Sequence, residues 1–188
     1  DGRIDMILDA DGAEIGLEST IVDLTSRIPM ILRPGYITQK MLSEVVGETD
    51  VDVTVYGSDT AQAPKAPGMK YRHYAPKGEL VIVEGEPQRV VRYINEQAAA
   101  HEAAGVRTGV IGTAEQLAQY HASSVKNAGS RCDAHEAAKK LYTFLREFDD
   151  EEVAFIYAES FADALDEGFG QAVMNRLLKA AGHKVIQV

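Results

Sequence analysis

Ala66-Pro-Gly-Met-Lys-Tyr-Arg-His-Tyr-Ala-Pro76 separates two stretches of chain with different patterns, and its reading decides the fold. Pro64, Pro67 and Pro76 remove backbone donors and fix φ, so the segment is neither a helix nor a central strand. Gly68 lets the backbone pass close to a neighbour. From Gln62 to Gly78 the segment carries Lys65, Lys70, Arg72, Lys77 and His73 and no acid, in a chain of net charge −10. A cationic island on an acidic background suits an anionic ligand. Two readings follow from the pattern. One is an ordered strap that brings Lys, Arg, His and two Tyr to a phosphate-bearing ligand. The other is a solvated, Pro-rich connector.

Downstream, residues 79–188 read as alternating strands and helices. Glu79-Leu-Val-Ile-Val83 is a continuous apolar strand, and Pro87 opens a helix whose stripe is Val90, Val91, Ile94 and Ala98. Arg107–Gly112 is a second strand, Ala114–His121 a short helix and Ser124–Ala128 a third strand. Asp133 and Glu136 have capping-box spacing before a long helix with Leu141, Phe144, Leu145 and Phe148 on its buried face. Val153–Tyr157, a helix over Ala172–Ala181 and a last strand within His183–Val188 complete the series. Such alternation predicts an α/β domain of Rossmann-like, three-layer form with a mainly parallel sheet. Gly109-Val-Ile-Gly112 is not the G-x-G-x-x-G fingerprint, so dinucleotide binding is not supported.

Upstream, residues 1–58 read as β-rich. Met6-Ile-Leu8 is a short apolar run, Gly16–Thr25 favours a strand, and Met30–Arg33 is a strand stopped by Pro34-Gly35. Thr38 caps a short helix that Gly47 closes. Val51–Tyr56 alternates as a half-buried strand. This is too little material for a closed domain, because its strand edges need more chain. The start at Asp1, without Met and inside structured sequence, suggests a piece of a longer protein. The predicted organisation is therefore the last part of a catalytic domain (1–58), a linker strap (59–78) and an accessory domain (79–188).

Composition narrows the function classes. The 188 residues are 45% apolar and 26% charged, which is ordinary for a soluble globular protein. No apolar run reaches the length of a membrane span. Cys132 is the single cysteine, so neither an internal disulfide nor a thiolate zinc site is expected. A reducing cytoplasm fits. The acidic net charge argues against broad nucleic-acid binding.

Three stretches could carry chemistry. Ser19 and Thr20 offer adjacent hydroxyls that can bind a carboxylate or phosphate, or serve as ordinary strand residues. Arg33 ends a strand before a forced turn, where its planar fork can meet a ligand or simply face solvent. In the strap, Tyr71, Arg72 and His73 offer phosphate donors and an aromatic face.

Gly16-Leu-Glu-Ser-Thr-Ile-Val-Asp23, Ile31-Leu-Arg-Pro-Gly35 and the strap, in this order and spacing, resemble the C-terminal part of the YrdC/YwlC family, whose long, two-domain members are threonylcarbamoyl-AMP synthases. Gly170-Gln-Ala-Val-Met-Asn-Arg-Leu-Leu-Lys-Ala-Ala181 is similar to the close of their second domain. The resemblance implies an α+β YrdC-like body ahead of the Rossmann-like domain. It implies condensation of L-threonine, bicarbonate and ATP, with Mg2+, into threonylcarbamoyl-AMP and pyrophosphate, a nucleotidyl transfer. Downstream tRNA-modification proteins would use the product for threonylcarbamoyladenosine. Ser19 and Thr20 would then contact threonine, and Arg33, Tyr71, Arg72 and His73 the ATP, while no catalytic base and no metal ligand is assigned to this chain. The family's N-terminal K-x-R and S-x-N signatures have no counterpart here, since Lys70-Tyr-Arg72 lies elsewhere in the order. The chain alone is therefore expected to be inactive. The alternative is a non-catalytic regulatory or nucleotide-binding module.

Overall fold

The computed structural model describes residues 2–6, 8, 14–55, 74–161 and 170–188. Its centre is β4 (Glu79–Glu84), whose residues Leu80 to Val83 are all buried. A strand with no polar face needs cover on both sides. Around it lie β5 (Thr108–Gly112), β6 (Ser124–Asn127), β7 (Phe155–Glu159) and β8 (Val185–Gln187), in the order β6-β5-β7-β4-β8 and all parallel. The period of two sorts the side chains. Val81 and Val83 pack with Val90, Val91 and Ile94 of α2 (Pro87–Ala103). Leu80 and Ile82 pack with α3 (His135–Asp150) and α4 (Gly170–Ala180) on the other face. This is the expected three-layer domain. Gly109 and Gly112 serve packing: a Cβ on them would stand 2.6 Å from the Phe148 ring and 2.7 Å from the Tyr120 ring.

Ahead of this domain is a small three-stranded sheet. β1 (Ile21–Asp23) pairs antiparallel with β2 (Met30–Arg33), and β2 pairs in parallel with β3 (Asp50–Val51). Between them α1 (Gln39–Val46) begins at Thr38, whose side chain accepts from Met41 N–H, and ends at Gly47. Leu32 and Val55 form its small core. α1 buries none of its residues, and Met41, Val45 and Val46 stay exposed.

Several elements are shorter than the pattern predicts. The Gly16–Thr25 strand is realised only over Ile21–Asp23, because the carbonyls of Glu18 and Ser19 accept from Arg176 and Arg33 side chains. The predicted Val51–Tyr56 strand stops at Val51. Asp52 then accepts from Thr54 N–H and Oγ1, at 2.8 and 2.6 Å, and closes a 3₁₀ turn over Val53–Val55. The Ala114–His121 helix is a single 3₁₀ turn, Leu117–Gln119. The capping box at Asp133 does not form: Asp133 accepts from His135 N–H, and Glu136 pairs with Lys140 instead. Met6 and Leu8 are exposed and in no strand.

Candidate functional site

The β1–β2 hairpin places the two predicted upstream motifs side by side. Ile21 is opposite Arg33, so Ser19 and Thr20, just before β1, run beside Arg33-Pro34-Gly35. Arg33 Nε donates to Ser19 O at 3.0 Å. Thr20 Oγ1 donates to Ile37 O at 2.7 Å. Gly35 is required by this contact: a Cβ there would lie 2.5 Å from Thr20 N, 2.6 Å from Glu18 O and 2.7 Å from Ser19 C. Ser19 is exposed and Thr20 and Arg33 are half-buried, so the three form an accessible ledge.

Helix α4 of the second domain holds this ledge from behind. Arg176, only 5% exposed, donates from Nε to Glu18 Oε2 at 2.8 Å and from Nη1 to Pro34 O at 2.6 Å. Nη2 lies 3.4 Å from Glu18 O. Its neighbour Asn175 donates from Nδ2 to Val55 O at 2.5 Å. Tyr142 of α3 brings its hydroxyl within 3.0 Å of both Glu18 carboxylate oxygens. Burial pushes the Glu18 carboxyl up, but the Arg176 charge, with hydrogen bonds from the Glu18 backbone, Arg176 and Tyr142, outweighs it and holds the group below the usual carboxylate range. The Tyr142 phenol is raised by burial and by the Glu18 charge. Lys179, one turn beyond Arg176, is pushed down to about 8, first by burial and then by the Arg176 charge, with Glu18 opposing and Arg33 adding.

Tyr71, Arg72 and His73 lie outside the described residues, so their expected roles rest on the sequence. The strap's last residues are described. Tyr74, at φ +58°, sets its ring 4.5 Å from that of Tyr142. Arg146 Nη2 donates to the Tyr74 and Ala75 carbonyls at 3.0 and 3.1 Å, and Lys77 N–H donates to Asp149 at 2.6 Å. The end of the strap is therefore fixed to α3 beside the residue that contacts Glu18.

A second place fits ligands by topology. Helices α2 and α4, which follow the neighbouring strands β4 and β7, leave to opposite faces, and a crevice opens at such a switch point. A cleft of about 220 Å³ lies there, lined by Glu84, Gly85, Arg131 and Ser160 among others. Phosphate binding at such a place uses free N–H groups at a helix start. Here Glu86 caps α2 with its own carboxylate, accepting from Gln88 and Arg89 N–H. That acid and Glu84 oppose a phosphate. Among the described residues no group of three or more His, Cys, Asp or Glu is placed to hold a metal ion, and no helix is long and apolar enough to cross a membrane. Cys132 is exposed and unbridged.

Sequence reading singled out Ser19, Thr20 and Arg33, which the structure brings together, and gave no role to Glu18, Tyr142, Asn175, Arg176 or Lys179. One signal was available. In α4, Asn175, Arg176 and Lys179 interrupt an otherwise apolar helix buried on nearly every side. A polar residue retained at such positions needs a partner.

A family model described as "Threonylcarbamoyl-AMP synthase, C-terminal domain" matches residues 37–182. A threonylcarbamoyl-AMP synthase of Bacillus subtilis is 44% identical over 187 residues, covering the whole chain and 51% of that protein. The Pyrococcus abyssi threonylcarbamoyl-AMP synthase is 41% identical over 187 residues, covering the whole chain and 52% of that protein. Among solved structures, P. abyssi Sua5 complexed with L-threonine superposes with a TM-score of 0.85 at 39% identity, covering all of this chain and 52% of that one. The chain thus spans about half the length of the curated relatives it matches.

Proposed function

The chain belongs to the threonylcarbamoyl-AMP synthase family, and we propose that it forms the closing part of the catalytic site, with the accessory domain, of an enzyme that makes threonylcarbamoyl-AMP. The reaction joins L-threonine, bicarbonate and ATP and releases pyrophosphate, a nucleotidyl transfer that serves threonylcarbamoyladenosine formation in tRNA. The observation that carries the reading is the Ser19–Thr20 and Arg33 ledge, closed by the 3.0 Å contact of Arg33 with Ser19 O. It lies in a chain similar along its whole length to a Sua5 structure that holds L-threonine.

In this reading Ser19 and Thr20 receive the threonine, and Arg33 meets the ATP phosphates. Adenylation puts negative charge on phosphate oxygens, and a guanidinium in a water-poor cleft stabilises it. Tyr71, Arg72 and His73 supply donors and an aromatic face to the nucleotide. Mg2+ enters with the ATP phosphates, which supply the hard oxygen ligands it prefers. The setting is the cytoplasm, where downstream tRNA-modification proteins take up the adenylate.

The test is pyrophosphate release by a full-length protein that contains this chain, given threonine, bicarbonate and ATP. Release that requires threonine is expected, with loss in Ser19→Ala and Arg33→Met. The 188-residue chain alone should release none, because the family's K-x-R and S-x-N signatures are not in it. Threonine-independent release by the full-length protein overturns the function. Release by the chain alone overturns the assignment of a partial site.

A further inference from the structure

Two adjacent residues of α4 touch three separate segments of the first body. Arg176 holds the Glu18 carboxylate and lies near the Glu18 carbonyl, immediately before Ser19. It also holds the Pro34 carbonyl, immediately after Arg33. Asn175 holds the Val55 carbonyl, in the 3₁₀ turn over Val53–Val55. We propose that Arg176 is a positioning residue of the synthase: from the accessory domain it sets the spacing between the hydroxyl pair Ser19–Thr20 and the Arg33 fork. The accessory domain then acts as a jig for the catalytic site. The proposal rests on the functional reading of Ser19, Thr20 and Arg33 given above.

Chemistry favours arginine for this task. One planar guanidinium presents donors in several fixed directions, and here three of its nitrogens face two different segments. A lysine ammonium is a point charge and cannot fix two segments at a set distance. The contact is also shielded: Arg176 is 5% exposed, and Tyr142 covers the far side of the Glu18 carboxylate. Buried, charge-assisted bonds of this kind resist local opening. Without Arg176 the first body keeps its own ties, Arg33 to Ser19 and Gly35 against Thr20, and its contacts with Tyr142 and Asn175, but loses the side chain that joins the Glu18 and Pro34 segments to each other.

The experiment uses the full-length protein and three variants: Arg176→Met, Arg176→Lys and Arg131→Met. The last is the control, because Arg131 pairs with buried Glu159 in the second domain and touches neither Glu18 nor Pro34. Threonine affinity is measured by calorimetry and kinetics well below each melting temperature. Amide exchange is followed at residues 17–22 and 33–37. A misplacement near 1 Å predicts a threonine KM raised about 10- to 100-fold in Arg176→Met. Arg176→Lys should recover only part of this loss. Exchange should rise at both segments in Arg176→Met and stay at the wild-type level there in Arg131→Met. Unchanged exchange and unchanged KM in Arg176→Met overturn the proposal, as does an equal loss in Arg131→Met. Should Arg176→Met fail to fold, Glu18→Gln replaces it, with a smaller KM rise and the same exchange pattern expected. A wild-type protein that binds no threonine overturns the functional reading instead, while the exchange pattern still decides whether Arg176 positions the two segments.

Discussion

Gly35→Ala is the smallest perturbation that reaches the candidate site. The backbone at Gly35 is not in the left-handed region, so alanine meets no conformational penalty and the effect is purely one of space. The added methyl would stand 2.5, 2.6 and 2.7 Å from Thr20 N, Glu18 O and Ser19 C. All three are backbone atoms, so no side chain can turn aside. Restoring ordinary contact near 3.4 Å requires the two segments to part by roughly 1 Å. Overpacking on this scale costs about 1–3 kcal/mol. For a chain of this size each kcal/mol lowers Tm by about 2–4 °C, so a fall of about 2–12 °C is expected. The same separation moves Ser19 and Thr20 away from Arg33. A misplacement of that size in a reacting site costs up to about 100-fold in rate. Thermal unfolding of the 188-residue chain and threonine-dependent pyrophosphate release by the full-length protein read the two effects separately. Wild-type Tm together with wild-type threonine KM in Gly35→Ala would refute the reasoning.

Other substitutions test the forces that hold the two bodies. Arg131→Met removes the ion partner of Glu159, whose side chain is fully buried and also accepts from Thr113 N–H and Oγ1. An unpaired buried carboxylate costs about 3–5 kcal/mol, and urea unfolding should show a midpoint shift of that size. Glu86→Ala uncaps α2 and should cost about 1 kcal/mol in the same assay. Lys179 supplies a pH test. Its pKa is lowered to about 8 from the ordinary 10.5, so between those values the unfolded chain holds a proton that the folded chain has released. Stability therefore rises with pH across that window, and the gain is absent below pH 8. Unfolding in urea at pH 7.5 and 9.5 should differ by about 1–2 kcal/mol, and Lys179→Met should flatten the difference.

The second domain was legible because its strongest elements are dictated locally. Leu80-Val-Ile-Val83 has no polar face, so it can only be a strand covered on both sides. Pro87 and the Val90, Val91, Ile94, Ala98 stripe fix the start and inner face of α2. The first body was legible only in part. Gly16–Thr25 has the composition of a strand, yet its first half gives its carbonyls to side chains from distant parts of the chain. Periodicity reports which side of a segment is apolar and does not report a partner 158 residues away, which is the separation of Glu18 and Arg176. Ser19, Thr20 and Arg33 were singled out because each lies in a motif, and their adjacency is what the structure adds. Arg176 was missed because buried polar residues in a helix, here Asn175, Arg176 and Lys179, say that partners exist and not where they lie in the chain.

The way the two bodies meet explains why the first cannot define a site by itself. Among the described residues its core is Leu32 and Val55 with a few half-buried neighbours, Ile31 is buried beside them in β2, and α1 contributes nothing buried. Ile15 and Leu17 pack into the core of the second domain, and Gly16 lies against the backbone of Lys139 in α3. A body with so little apolar burial of its own has little to resist a shear of one strand past another. The register that brings Ser19 beside Arg33 is set by the β1–β2 pairing and the Arg33–Ser19 bond, and what reinforces it from outside needs direction as well as attraction. Apolar packing by Ile15 and Leu17 supplies attraction without direction. The donors of Arg176 and Asn175 supply direction, because each meets a carbonyl or carboxylate oxygen at a set place in the chain. It follows that removing Ile15 or Leu17 side chains should lower Tm with little change in threonine KM. Removing Arg176 should change KM by more than its loss of stability explains. The contrast separates adhesion from alignment, and equal KM effects from both kinds of variant would show that the interface aligns nothing.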